Sequence, residues 1–191
     1  MSEGAQPART RHLQTPSQTV GPFFGYALPY DGGPDVASRA DTASIRLHGT
    51  VYDGAGEPVP DAILEIWGPD ASGAPIRERG SLHRDGYTVT GFGRAPVDRA
   101  GHYTFTTVRP GSAAEGRAPY LLVTVFARGL LHHLFTRAYF SEGDPFLDRL
   151  PDERRSTLLV QQDGERSYRF DIHLQGDDET VFLDFRGDGR G

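Results

Sequence analysis

The sequence contains no cysteine. Disulfides, thiolate metal sites and iron–sulfur clusters are thereby excluded, a reducing compartment is fitted, and any metal site would have to be made from His, Tyr, Asp or Glu. No run of basic residues occurs, and with a formal charge of −6 the chain lacks the concentrated cationic surface that displaces counterions from phosphates, so nucleic acid is not an expected partner. No stretch approaches the roughly eighteen apolar residues of a spanning helix, and the opening MSEGAQPARTRHLQ lacks the apolar core of a secretory signal. These absences predict a cytoplasmic protein with no membrane partner. Methionine is nearly missing too, one against 11 Phe, and this balance favours aromatic strand positions over long helices.

What is present is turn chemistry and short apolar runs. The 24 Gly and 14 Pro punctuate segments that alternate with period two. In IRLHGTVYD, Ile45, Leu47, Gly49 and Val51 share one side, and Arg46, His48, Thr50 and Tyr52 the other, the signature of a half-buried strand. Further strands are expected at AILEIWG, YTVTGFG, HYTFTTV, YLLVTVFA, HLFTRAYF, SYRFDIHL and TVFLDF. Such spacing predicts an all-β fold, an antiparallel β-sandwich. One short helix is expected in LPDERRSTLLVQQ, where Pro151 opens the first turn and Asp152 and Glu153 suit the positive end of the helix dipole.

At 191 residues the chain is one domain, able to bury roughly 70% of its unfolded surface. Residues 1–14 are polar and aperiodic and are expected to be a loose tail, with a single domain over 15–191. Its first part, 15–44, holds Val20, Phe23, Phe24, Tyr26, Leu28 and Tyr30. A free tail would leave these apolar groups unburied at about 1.5–3 kcal/mol each, so the segment is expected to be an arm that docks on something.

Chemistry-bearing groups are scattered. His132 and His133 are adjacent and would point to opposite faces of an extended chain, and His12, His48, His83, His102 and His173 stand singly. No H-x-H, H-x-x-x-H or H-x-x-E spacing occurs, and no G-x-S-x-G turn offers a serine nucleophile. The glycines of TGFGRA, which precede a strand-like run instead of a helix, mark a bend or bulge instead of a phosphate cradle. Arg128, just before Gly129 at the end of an apolar strand, reads equally as a turn residue or as a guanidinium aimed at an anionic ligand.

Taken in order, TPSQTVGPFF, LHGTVYDGAGEPVPDAILEIW, GFGRAPVDRAGHYTFTTVRPG, VFARGLLHHLFTRAYF and YRFDIHLQGDDETVFLDF resemble the intradiol ring-cleavage dioxygenases from Thr15 to Phe185. The resemblance implies a β-sandwich and, in the branch with paired α and β chains, an oligomer of such pairs. It also implies a non-haem Fe(III) held by two Tyr and two His of a homologous iron-binding β subunit, with protocatechuate and O2 as substrates. Tested one position at a time, the ligands are missing here. Where the iron-bearing chains have H-x-H this sequence has Tyr120-Leu121-Leu122; the loop GPDASGAPIRERG has no Tyr; and SAAEGRA after Pro110-Gly111 has none either. The resemblance therefore implies an iron-free α-type chain whose Thr19, Gly21, Pro22 and Arg128 contribute to a substrate pocket shared with the β chain, while catalysis and metal stay with that partner. Two rivals remain at this stage: a non-catalytic transthyretin-like β-sandwich binding module, which VYDGAGEPVPDAILEIW also suits, and an enzyme using this chain's own His and Tyr.

Overall fold

The structure, a computed structural model, describes residues 19, 21, 24–77 and 84–184. A one-turn helix, α1 (Phe24–Ala27), lies in the arm and is followed by β1 (Ser44–Tyr52), β2 (Ile63–Trp67), β3 (Phe92–Pro96), β4 (His102–Val108), β5 (Tyr120–Phe126) and β6 (Leu134–Tyr139). A 3-10 turn (Leu147–Arg149) and α2 (Asp152–Ser156) then lead to β7 (Gln161–Gly164), β8 (Ser167–Arg169) and β9 (Ile172–His173). No helix among the described residues is long and apolar enough to cross a membrane.

The strands form two sheets, one ordered β4-β1-β8-β7 with β9 also beside β1, the other β3-β2-β5-β6. Alternation drives their packing. Ile45, Leu47 and Val51 of β1, with Tyr103 and Phe105 of β4, meet Leu64 and Ile66 of β2 and Leu121, Val123 and Val125 of β5 in one core. Leu47, Phe105, Leu64 and Val125 keep no accessible surface, and each such burial contributes about 1.5–3 kcal/mol.

The expected sandwich is present, but it is not wholly antiparallel. β1 runs parallel to β8 (Leu47↔Tyr168) and to β9 (Val51↔Ile172), where the chain, after β5 and β6, returns to this sheet a second time on the side of β1 away from β4. A close crossing permits this: Phe170 N–H donates to the His48 carbonyl (2.8 Å), and a Cβ on Gly49 would stand 2.0 Å from the Phe170 carbonyl oxygen. Two further expectations are corrected. Tyr87–Gly91 is bend and irregular chain, and the strand begins only at Phe92, since Gly91 adopts φ 72° where an extended chain is broken. The helix spans only Asp152–Ser156, because Leu158 is drawn fully into a second small core with Tyr139 and Leu147 and the chain then bridges Tyr139 at Leu159.

Where described, the arm docks first on its own chain. Phe24, Val36 and Ala37 are buried. Tyr30 is faced by the guanidinium groups of Arg84 and Arg94, each 5.7 Å from the ring centroid. Arg94 donates to the Leu28 carbonyl (2.8 Å) and to Glu65 (2.6 Å), and Arg84 donates to the Tyr30 hydroxyl (3.1 Å) and the Phe92 carbonyl (2.7 Å). The part of the arm around Leu28 and Tyr30 therefore lies on the outer face of the second sheet, and its Asp35–Ala37 stretch pairs with Thr106 of β4 in the first. Residues 1–14, Val20 and Phe23 lie outside the described residues.

Candidate functional site

The two ends of β5 carry different chemistry. At its start, antiparallel register aligns Phe92, Trp67, Leu122 and Arg137 in one row across the outer face. Trp67, Leu122 and Arg137, with Tyr120 beyond them, border a cavity of about 660 Å3. Its walls are two loops, one through Pro69, Pro75 and Ile76 and the other through Ala113, Arg117 and Pro119.

Backbone contacts hold those loops together. The Asp70 carboxylate accepts from Ser72 Oγ (2.6 Å) and from the Ser72 and Ala74 N–H groups (2.8 and 3.0 Å). These bonds, led by the Ser72 hydroxyl, hold its carboxyl below the usual value. Gly111 N–H donates to the Asp70 carbonyl (2.9 Å). A Cβ on Gly111 would fall 2.4 Å from the Gly73 nitrogen, and one on Gly73, whose φ is 90°, would fall 1.9 Å from the Ser112 carbonyl oxygen. Only glycine fits at either position.

The charges of the cavity sit at its edge. Asp144, fully buried, accepts from the Phe146 N–H (2.8 Å), the Ala118 N–H (3.3 Å) and Arg117 Nη1 (3.5 Å). The Arg137 guanidinium lies 4.6 Å from the Tyr120 ring centroid and 5.4 Å from that of Phe146. Its Nη1 donates to the Tyr139 hydroxyl (3.0 Å), while its Nε is buried without a hydrogen-bond partner. Burial pushes the Tyr139 hydroxyl above its ordinary value, against the pull of Arg137, so at neutral pH it remains an uncharged acceptor.

These walls are the three segments to which the resemblance assigned the metal: the loop after β2, the loop after Pro110-Gly111, and Tyr120-Leu121-Leu122. One detail is corrected. Leu122 borders the cavity, but Leu121 is the intervening residue and points into the sandwich core. The donor set does not fit a ferric ion. Among the described residues, indole, hydrocarbon, one phenol and two guanidinium groups stand around the cavity, and the lone carboxylate, Asp144, is already engaged by three donors.

At the other end of β5, about 20 Å along the strand, Ala127–Leu130 forms a turn closed by a Leu130 N–H to Ala127 carbonyl bond (3.2 Å). Gly129 takes φ 90° there, as the third residue of a type II turn requires. Arg128 Nε meets Asp61 Oδ2 at 3.1 Å, with the arginine side chain 61% exposed. The backbone of α1 passes the same residue: a Cβ on Gly25 would stand 3.8 Å from the Asp61 carbonyl oxygen. Gly21, at φ 72°, donates its N–H to Thr19 Oγ1 (3.4 Å). Arg128 and α1 thus both reach Asp61, and Tyr26 of α1 is 86% exposed. Neither Thr19, Gly21 nor Arg128 borders the cavity, and Pro22 lies outside the described residues.

Reasoning from sequence missed Asp61, Arg117, Arg137 and Asp144. The signal for Arg137 was its outward parity in LFTRAY. What it lacked was the cross-strand register that sets it beside Leu122.

Comparison with known proteins matches this architecture. The profile of the dioxygenase family aligns with residues 21–176, and the chain belongs to that family. It is 41% identical to the protocatechuate 3,4-dioxygenase α chain of Burkholderia cepacia, over 90% of this chain and 97% of that one. The β chain of the same enzyme is 28% identical, over 71% of this chain and 66% of its own length. The solved dioxygenase domain of a carbohydrate-binding fusion protein from Streptomyces sp. SirexAA-E superposes with a TM-score of 0.55 at 25% identity, covering 85% of this chain and 98% of that one. The chain is a homologue of protocatechuate 3,4-dioxygenase α chains, and the binding-module alternative is not favoured.

Proposed function

We propose that this chain is the α subunit of a protocatechuate 3,4-dioxygenase, paired with a homologous β subunit that holds Fe(III). The observation that carries this reading is the donor-poor cavity: three segments meet where the family holds its metal, yet the groups they present there do not suit iron. Ring-cleavage chemistry, which adds both atoms of O2 to protocatechuate and yields 3-carboxy-cis,cis-muconate, then belongs to the partner's iron. The work of this chain is binding and orientation.

Arg128, Thr19, Gly21 and Pro22 form its side of the shared substrate pocket. The Arg128 guanidinium is tethered at Nε by Asp61 while most of the side chain remains in solvent, so its outer N–H edge is available to a substrate carboxylate. A fixed cation beside the partner's site raises the local concentration of an anionic substrate and sets its orientation. Gly21 gives the arm a left-handed turn that brings backbone, not side chain, toward the ring. Tyr26, with Leu28 beside it, supplies exposed apolar surface for the partner to cover.

Expression alone and with the β chain from the same source tests the assignment. The full chain by itself should carry no stoichiometric iron, no tyrosinate-to-iron colour and no ring-cleaving activity, and the co-expressed pair should have all three. One iron per isolated chain, with that colour, would refute the assignment.

A further inference from the structure

We infer that Arg94 is a positioning residue for the substrate pocket, acting through α1 at a distance from the ligand; the inference rests on the pocket assignment made for Thr19, Gly21, Pro22 and Arg128. A single helical turn does not hold its shape alone in water, so α1 keeps its place through its contacts with the second sheet. At its C-terminal end, Arg94 Nη1 donates to the Leu28 carbonyl (2.8 Å), and the Leu28 N–H closes the turn on the Phe24 carbonyl (3.1 Å). Nearer its start, a Cβ on Gly25 would stand 3.8 Å from the carbonyl oxygen of Asp61, the residue that tethers Arg128. Thr19, Gly21 and Pro22 precede α1 directly in the chain. The Arg94–Leu28 bond therefore sets the seat of both halves of the pocket, the arm residues before α1 and the guanidinium held by Asp61.

Arginine is needed there for its shape. Glu65 and Arg94 stand directly opposite each other on β2 and β3, and each side chain is only 19% exposed. Arg94 uses Nε and Nη2 on the same Glu65 oxygen (2.8 and 2.6 Å), which fixes the guanidinium plane and leaves Nη1 for the arm. The arm also meets the strand by its backbone. Arg94 N–H donates to the Gly33 carbonyl (2.9 Å), and a Cβ on Gly33 would fall 2.7 Å from the Arg94 carbonyl oxygen. A lysine would keep the ion pair with Glu65, but its single ammonium does not reproduce the planar fork that reaches Glu65 and Leu28 together. A cross-strand pair that only held the sheet together would have no use for the third nitrogen.

Arg94→Lys in the assembled α/β enzyme separates the two roles. Iron content and denaturant midpoint should stay at the parent's values, because the pair with Glu65 is kept, while KM for protocatechuate should rise about threefold to tenfold with kcat little changed. Hydrogen exchange of the Leu28 amide in the same enzyme should speed up about threefold or more. Arg94→Ala, which also strands the Glu65 carboxylate, should add a fall in denaturant midpoint, and Arg94→Lys should recover that midpoint without recovering KM. Unchanged KM in Arg94→Lys, or a raised KM with unchanged Leu28 exchange, would each overturn the inference. So would a loss of kcat together with iron, which would make Arg94 a residue of the assembly and not of the pocket. Failure of the pocket assignment looks different. If Arg128→Ala and Thr19→Ala both leave protocatechuate kinetics unmoved, that assignment falls and this inference with it; if they raise KM and Arg94→Lys does not, the pocket stands and only the inference falls.

Discussion

The two ends of β5 hold an arginine each and use it in opposite ways. Arg137 at the cavity end is packed between the rings of Tyr120 and Phe146, with a buried donor. Arg128 at the far end stands on an exposed turn, tethered to Asp61 through one nitrogen. The first is fixed by packing and pays its desolvation inside the chain; the second keeps its hydration and is held by geometry alone. A charge of the second kind suits a ligand that arrives with a partner, and one of the first kind holds together the rings packed around it.

The strongest way to break this contrast is to destroy one end and leave the other. Gly73→Val would force a Cβ into the Ser112 carbonyl at a left-handed φ and should cost about 3 kcal/mol or more. A fall in denaturant midpoint is the expected readout, while the Arg128–Asp61 pair, about 20 Å away, stays in place. A smaller effect is expected from Arg128→Ala in the assembled enzyme: KM for protocatechuate should rise about tenfold with kcat little changed, the mark of uniform binding. If steady-state kinetics show neither constant moving, Arg128 serves only its turn.

The mildest test uses alkali. Burial, then the nearby Asp171 charge, pushes the Tyr103 hydroxyl well above its ordinary value, and burial raises that of Tyr139. Both phenols bind their protons more tightly when folded, so the stability they contribute is complete below the unfolded phenol value of about 10 and is lost as pH rises beyond it. Phenolate absorbance should accordingly show two late-titrating tyrosines whose ionisation coincides with loss of structure, and Arg137→Ala should delay Tyr139 further by removing the cation that favours its anion.

Much of the fold could be read from local pattern because one face of each strand is buried. Ile45, Leu47, Gly49 and Val51 are buried as the alternation of IRLHGTVYD required. Pattern failed where distant segments decide. The parallel pairing of β1 with β8 and β9 has no local signal, and α2 stops early because Leu158 is pulled into a core that includes Tyr139. The site divides in the same way. Missing ligands are legible residue by residue, since each lies in a short collinear motif. The cavity itself is not, for it is made by a cross-strand row and by two loops that meet around Gly73 and Gly111.

That touch has a consequence for engineering and for drift. Surface loops ordinarily absorb insertions and length changes, but here neither loop is free to lengthen near its contact, because any added residue in one must find room in the other. Tags, linkers and chain breaks belong instead at Gly116 or Gly143, where nothing stands within 4 Å of an added side-chain atom. Sequence change around residues 70–74 and 110–112 should come in matched pairs.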